Sequence, residues 1–496
     1  MTAVSAMVWG GAVALHYYRL GLTLSHYDSR GHLVVARRII DSITPGWQQI
    51  GAVWLPLPHL LNFLPVQIDA LYRSGASAVA ISIVAFGVAS GAIAWIVASL
   101  TESGLAAAIA AAVFALNPNV LYLQATPMTE PLLIATMTVA VAMMIEGIAR
   151  LKPRATAAAW SATTAVSSAR LTPSALGIAF ALACLTRYEA WFVTAAALVL
   201  GSWARWRQGA ALSPRELAPI AVYPAFVAVT FVVFSRIVIG QWFVSTGFFV
   251  PENKALGDPV VSAAEIVWGV RMLSGYPTLL LALAGLLLLA IMGLLRRDRS
   301  AGVIVFALIA AAVLPFAAFV NGHPFRIRYM VPLLAAEAVG VGAAAGIAGR
   351  FRTLVAVAVI CAAAYDLRPL DRNAPMVVEA QWDQPNVPVR QNVTDCLRAA
   401  YDGDKIMASM GSLGHYMQAA ARDGFRIRDF LHEGNGDIWL ASLDGPRPFV
   451  GWVLIEEKAN GGDMLARIAR RNPRFLEGYV RVCEGAGLAL YKRAQR

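Results

Sequence analysis

Long apolar stretches dominate this chain, and its polar residues gather in short clusters between them. A bilayer-spanning helix needs roughly 20 mostly apolar residues. Candidate spans fall at about 2–22, 75–99, 104–121, 129–149, 173–186, 190–204, 218–238, 276–295, 301–320, 329–349 and 353–365. The short pair 173–186 and 190–204 also reads as one broken unit. After Tyr365 the pattern changes. Short apolar runs at Lys405–Met410, Phe449–Ile455 and Leu488–Tyr491 look like strands, with helical periodicity at Leu413–Ala421 and Asp463–Arg471 between them. The pattern predicts an α-helical polytopic membrane domain of about eleven helices over residues 1–365 and a soluble α/β domain over 366–496. The first apolar stretch lacks a basic leader and a clear small-residue cleavage site, so it reads as the first span and not as a cleaved signal.

Composition sharpens this division. Only 14% of residues are charged, against about a quarter in soluble domains. Residues 1–365 hold 13 Asp and Glu with 23 Lys and Arg, and 366–496 hold 17 with 18, so most of the net charge of +11 lies in the membrane portion. The basic residues are Arg clusters between apolar runs, which favours anionic lipid head groups over nucleic acid as partner. Clusters at Arg150/Lys152/Arg154/Arg170, Arg205/Arg207/Arg215, Arg296/Arg297/Arg299 and Arg350/Arg352 all fall inside if the N-terminus is cytoplasmic and eleven spans follow. The loops 23–74, 122–128, 187–189, 239–275 and 321–328, and the C-terminal domain, are then extracytoplasmic. Four cysteines form neither a disulfide framework nor a zinc motif. Cys396 and Cys483 are free to pair if their domain faces an oxidising compartment.

The first outer loop carries the strongest chemical signal. His26-Tyr-Asp28-Ser-Arg-Gly-His32 leads into an amphipathic stretch, in which Leu33, Ala36, Ile40 and Ile43 make an apolar stripe suited to the membrane surface. In a helix, Asp28 and His32 share a face, as do Arg37 and Asp41. An interfacial helix with a solvated Arg37–Asp41 pair accounts for much of this. Yet an Asp at the exit of a span is costly to desolvate without a partner or a task, and four of the seven histidines lie between residues 16 and 59.

Asp28, His32 and the following Pro45-Gly46, Gly51 and Trp54-Leu-Pro56 resemble the first external loop of the GT-C glycosyltransferases, of the protein O-mannosyltransferase and aminoarabinose-transferase type. Three further stretches fit in order and on the same side: Thr126-Pro-Met-Thr-Glu130-Pro131, Thr186-Arg187-Tyr188-Glu189, and Arg326-Ile-Arg328-Tyr329-Met-Val-Pro332. Many relatives follow the loop Asp with a second acidic residue, whereas Ser29 stands here.

The resemblance implies an integral membrane glycosyltransferase that moves a sugar from a polyprenyl-phosphate donor to an acceptor hydroxyl of a protein, lipid or glycan. Asp28 is then the base of an inverting displacement, and Arg326, Arg328 and Arg187 bind the donor phosphate, since arginine presents a fork that matches phosphate oxygens. His32, Glu130, Glu189, His59, Tyr329 and Trp54 are candidates to bind or orient substrate. Other readings stay open: Arg326 and Arg328 as snorkelling anchors, Arg187 paired with Glu189 or Glu130, and Glu130 as a helix N-terminal carboxylate. His32, His59 and His323 share the outer side and include donors a divalent metal would accept, but their spacing matches no metal motif. The rival class is a transporter or flippase of a lipid-linked sugar, although the chain shows no repeated halves of the kind such proteins often carry.

Overall fold

The structure is a computed structural model that describes residues 2–149, 172–209, 213–243 and 253–494. The basic cluster at 150–170 and residues 244–252 of the long outer loop lie outside these. The chain opens with α1 (Thr2–Arg19), followed by the short helices α2 (Tyr27–Arg38), α3 (Leu57–Asn62) and α4 (Asp69–Ser74). The apolar helices come next: α5 (Ala76–Thr101), α6 (Gly104–Leu116), α7 (Pro118–Gln124), α8 (Glu130–Ala149), α9 (Pro173–Cys184), α10 (Glu189–Arg207) and α11 (Pro214–Ile239). Then follow α12 (Pro259–Ser274), α13 (Tyr276–Leu295), a 3₁₀ helix Arg297–Ala312 running into α14 (Val313–Val320), a second 3₁₀ helix Ile327–Leu333 running into α15 (Leu334–Ile347), and α16 (Arg352–Asp366).

Each expected span therefore falls on helix. The chain is a polytopic membrane protein, and the expected count of eleven crossings is not confirmed. Among the described residues six helices are long and apolar enough to cross a membrane, or seven if α6 and α7, bent by 66°, form one span. The bend has a local cause: Asn117 caps α7 through its Oδ1, and Pro118 cannot continue the α6 hydrogen-bond ladder. The stretch 239–275, read from sequence as loop, contains α12, which starts where Asp258 accepts from the N–H groups of Val260 and Val261.

Two compact units divide the chain: Met1–His16, Ile81–Ala125 and Thr129–Val378 form the first, and Tyr17–Ala80, Thr126–Met128 and Glu379–Arg496 the second. In the first, close helix approach depends on missing side chains. A Cβ on Gly285 of α13 would stand 1.8 Å from the Gly340 carbonyl of α15, and one on Gly177 of α9 would stand 2.2 Å from the Pro219 carbonyl of α11. Lipid tails are as apolar as the helices, so such backbone contact replaces the hydrophobic effect as the glue.

The second unit joins the first outer loop to the C-terminal residues. After α17 (Pro375–Glu379), within which the division falls in the sequence, its later elements are α18 (Val387–Ala400), β1 (Ile406–Ala408), α19 (Met410–Ala420), β2 (Phe430–Leu431), α20 (Asp437–Ser442), β3 (Trp452–Glu456), α21 (Met464–Arg471), β4 (Tyr479–Gly485) and β5 (Leu488–Arg493). The sheet order is β2-β1-β3-β5-β4, with β2, β1 and β3 parallel and β5 and β4 antiparallel. β1 and β3 are buried along their whole length, as parallel strands covered on both faces must be. Expected strands and helices lie at β1, β3, β5, α19 and α21. The two-residue β2 and the exposed β4 gave no usable apolar run. Cys396 of α18 and Cys483 of β4 form a disulfide with Cα atoms 6.6 Å apart.

The stripe on α2 needs correction. Leu33 and Ala36, expected on the membrane surface, are 0% and 1% exposed and belong to one core with Leu413, Tyr416 and Met417 of α19 and Trp452 of β3. α19 offers an apolar face that α2 covers, so burial against protein takes the place of burial in lipid. Ile40 alone of the four is largely exposed.

Candidate functional site

The residues singled out in the sequence fall into two sets, one in each unit. In the second unit, α2 is capped by His26, whose Nδ1 accepts from the Asp28 N–H at 3.1 Å. Asp28 thus stands in the first turn, where the helix dipole favours a carboxylate, and is 8% exposed. Ser29, in place of a second acid, donates its hydroxyl to the His26 carbonyl at 2.6 Å. The His26 Nε2 lies 3.6 Å from Glu379.

His32, Trp54 and His59 form a small aromatic assembly on the same unit. Gly31 permits it, because a Cβ there would come within 2.9 Å of the Trp54 ring. The Trp54 and His32 ring centroids are 4.2 Å apart. His59 Nδ1 is 3.1 Å from the Leu55 carbonyl, which only accepts, so Nδ1 carries the proton. Burial holds the His59 pKa down at about 4, so the ring is neutral at pH 7 and its Nε2 accepts from His32 Nδ1 at 3.2 Å. Both His59 nitrogens are thereby occupied. Among the described residues no group of three or more His, Cys, Asp and Glu is arranged to hold a metal ion, so the donors present do not make the divalent site considered from sequence.

A polar network of the C-terminal residues adjoins Asp28. Arg390 reaches Asp383 and, at 3.0 Å, the His415 Nε2, with Glu456 at 4.0 Å. Burial above all, then Arg390, lowers the His415 pKa to about 4, so His415 accepts from the guanidinium; Arg30 and Asp28 are among the charges it feels. None of these partners was legible in the sequence, since some 350 or more residues separate them from Asp28.

In the first unit Arg187 lies in the turn between α9 and α10. Its Nη1 donates to Glu130 at 2.9 Å and to Thr129 at 3.1 Å, and its Nε and Nη2 donate to Glu189 at 3.0 and 2.7 Å. Burial opposes the charged guanidinium, but Glu130 and Glu189 outweigh it and raise the pKa above the ordinary value. Both pairings considered for Arg187 are thus realised together. Glu130, in the first turn of α8, is fully buried and its Oε2 has no hydrogen-bond partner among the described residues. That carboxylate borders a small pocket with Phe86, Phe114, Ile134 and Val331.

Arg326 and Arg328 open the helix that leads to α15. Pro332 lacks the N–H that would bond the Arg328 carbonyl in an α-helix, and the segment is 3₁₀. Arg328 is 8% exposed, with its guanidinium carbon 5.2 Å from the Tyr329 ring centroid. The Tyr329 hydroxyl is 3.4 Å from His323 Nε2. His323 is held below its ordinary pKa, first by burial and further by Arg326 and Arg328, while Arg328 also acts on Arg187. The three arginines of the sequence reading thus share one electrostatic neighbourhood.

No family model matches the chain, and no curated protein does. Solved structures match in fold. ArnT from Cupriavidus metallidurans, solved bound to undecaprenyl phosphate, aligns over 98% of this chain and 97% of its own at 14% identity, with a TM-score of 0.59. The oligosaccharyltransferase AglB from Archaeoglobus fulgidus, solved with an inhibitory peptide and a dolichol-phosphate, aligns over 99% of this chain and 74% of its own at 13% identity, with a TM-score of 0.54. Both are GT-C superfamily membrane glycosyltransferases, and this chain has their fold.

Proposed function

We propose that this protein is a multi-pass glycosyltransferase of the inner or plasma membrane that transfers a sugar from a polyprenyl-phosphate donor to an acceptor hydroxyl on the extracytoplasmic face. The observation that carries the reading is the full-length fold likeness to ArnT, a structure captured with undecaprenyl phosphate; the dolichol-phosphate in AglB points the same way. The Cys396–Cys483 disulfide supports an oxidising, hence outer, setting for the C-terminal domain.

In this reading Asp28 takes the proton of the acceptor hydroxyl as its oxygen attacks the anomeric carbon. The bond from that carbon to the phosphate oxygen breaks, and the lipid phosphate leaves with the electron pair. Arg326 and Arg328 meet its developing charge. Arg187, already committed to two carboxylates, serves mainly to hold the segments around Glu130 and Glu189, with Tyr329 and His323 lining the same neighbourhood. Trp54, braced by the buried His32 and His59, offers a surface on which the sugar or acceptor rests.

The test is Asp28→Asn in proteoliposomes supplied with a panel of radiolabelled undecaprenyl-phosphate sugars. Transfer is expected to fall by about 10² to 10⁴, the range of general-base help, while undecaprenyl phosphate binding stays near wild type. Unchanged transfer removes Asp28 as the base. A wild-type protein that moves lipid-linked sugar across the vesicle without transferring it makes the chain a flippase.

A further inference from the structure

α2 carries Asp28 in its first turn, and just past its last turn stands Asp41. That position is poor for a carboxylate. The C-terminal end of a helix carries partial negative charge, and Asp41 is 2% exposed, so burial adds a desolvation cost. Two arginines offset both. Arg37 Nε donates to Asp41 at 2.9 Å, and Arg428 Nε, from the segment between α19 and β2, donates at 2.6 Å. The Ile427 N–H adds a longer contact at 3.4 Å.

The junction is tied outward as well. Arg37 Nη2 meets Asp69 of α4 at 2.5 Å, its Nη1 the Val66 carbonyl at 3.2 Å, and its guanidinium lies 4.4 Å over the Tyr72 ring. Other residues of the C-terminal part bond to residues 42–72 as well. Asn435 donates to Ser42 and Thr44, Gln49 donates to the Gly434 carbonyl at 2.7 Å, and Gln418 donates to the Tyr72 carbonyl at 3.0 Å.

The apolar packing of α2 on α19 is non-directional and by itself lets a helix slide or turn. Charge-assisted hydrogen bonds are directional. We propose that Asp41 and Arg428 are positioning residues that set the axial and rotational register of α2, and through it the place of Asp28, so that the C-terminal domain takes part in the transfer reaction. This rests on the reading of Asp28 as the base. Misplacement of a reacting group by 1 Å costs on the order of 10²-fold in rate, which makes such a register worth holding.

The test compares full-length Arg428→Ala, Arg428→Lys and Asp41→Asn in proteoliposomes, each alone and combined with Asp28→Asn. Arg428→Ala is expected to lower kcat by about 10- to 100-fold with KM for undecaprenyl-phosphate sugar changed by less than about 2-fold. Arg428→Lys keeps the charge without the fork and is expected to restore part of the loss. In the Asp28→Asn background Arg428→Ala is expected to cost nothing further, because its effect passes through Asp28. Equal losses in both backgrounds, or an unchanged kcat, overturn the proposal. If Asp28→Asn itself transfers normally, the base assignment fails, and amide exchange over Tyr27–Arg38 decides the register alone: wild-type exchange rates in Arg428→Ala overturn it, faster ones sustain it.

Discussion

Arg187 and Asp41 are mirror images. Arg187 is one cation held between two carboxylates, Glu130 and Glu189, whose side chains are 0% and 3% exposed. Asp41 is one carboxylate held between two guanidiniums, but Arg428 is 49% exposed where Arg37 is 7%. The difference is one of screening. Around Arg187 both carboxylates are withdrawn from water and the guanidinium is only 15% exposed, so the set is stable only when complete and suits a fixed framework among the helices. Around Asp41 one partner stays wetted and can be lost at modest cost in stability, while the geometry it imposes on α2 is lost outright.

The substitutions that probe this contrast differ in expected size. Arg187→Met strands two buried carboxylates, and breaking a buried pair typically costs about 3–5 kcal/mol. A clear fall in the thermal unfolding midpoint in detergent is the expected outcome, and an unchanged midpoint would mean the carboxylates are protonated or hydrated. Asp41→Asn keeps the shape and removes the charge, with an expected loss of about 1–3 kcal/mol for charge-assisted hydrogen bonds. Arg428→Met should cost under about 1 kcal/mol in stability, since half-exposed ion pairs contribute little. If it destabilises as much as Arg187→Met, the contrast collapses.

Acid offers a finer probe. Burial raises the Asp41 pKa, but the hydrogen bonds from Arg428 and Arg37 outweigh it and bring it below the ordinary 3.8. A carboxylate depressed in the folded state contributes stability above its unfolded pKa and loses it as pH falls through the folded value. The gap between wild type and Asp41→Asn should therefore hold from pH 8 to 5 and close below about 3.8. A gap that closes already between pH 6 and 5 would place the carboxylate in a different environment.

Much of this was legible in the chain. Residue pairs close in sequence declared themselves: Arg37 and Asp41 at helical spacing, and Arg187 two residues before Glu189. The long apolar helices followed from run length, α12 excepted, and the central strands from short apolar runs. Partners distant in sequence did not, because nothing local to Asp41 indicates Arg428, and nothing local to Asp28 indicates Arg390 or His415. The apolar stripe of α2 shows why: Leu33 and Ala36 announce burial without naming what buries them, and lipid and the α19 face satisfy the same pattern.

The sequence by itself determined where the long apolar helices run, where charge gathers, and which short motifs lie between spans, since these depend on neighbours a few residues apart. Only the tertiary structure decided that the first outer loop and the C-terminal domain share one core. It also decided that Asp41 sits between two arginines and that Arg187 sits between two acids. Hydrophobic burial is indifferent to the identity of its partner, and ionic pairing depends on distances that only the folded chain sets.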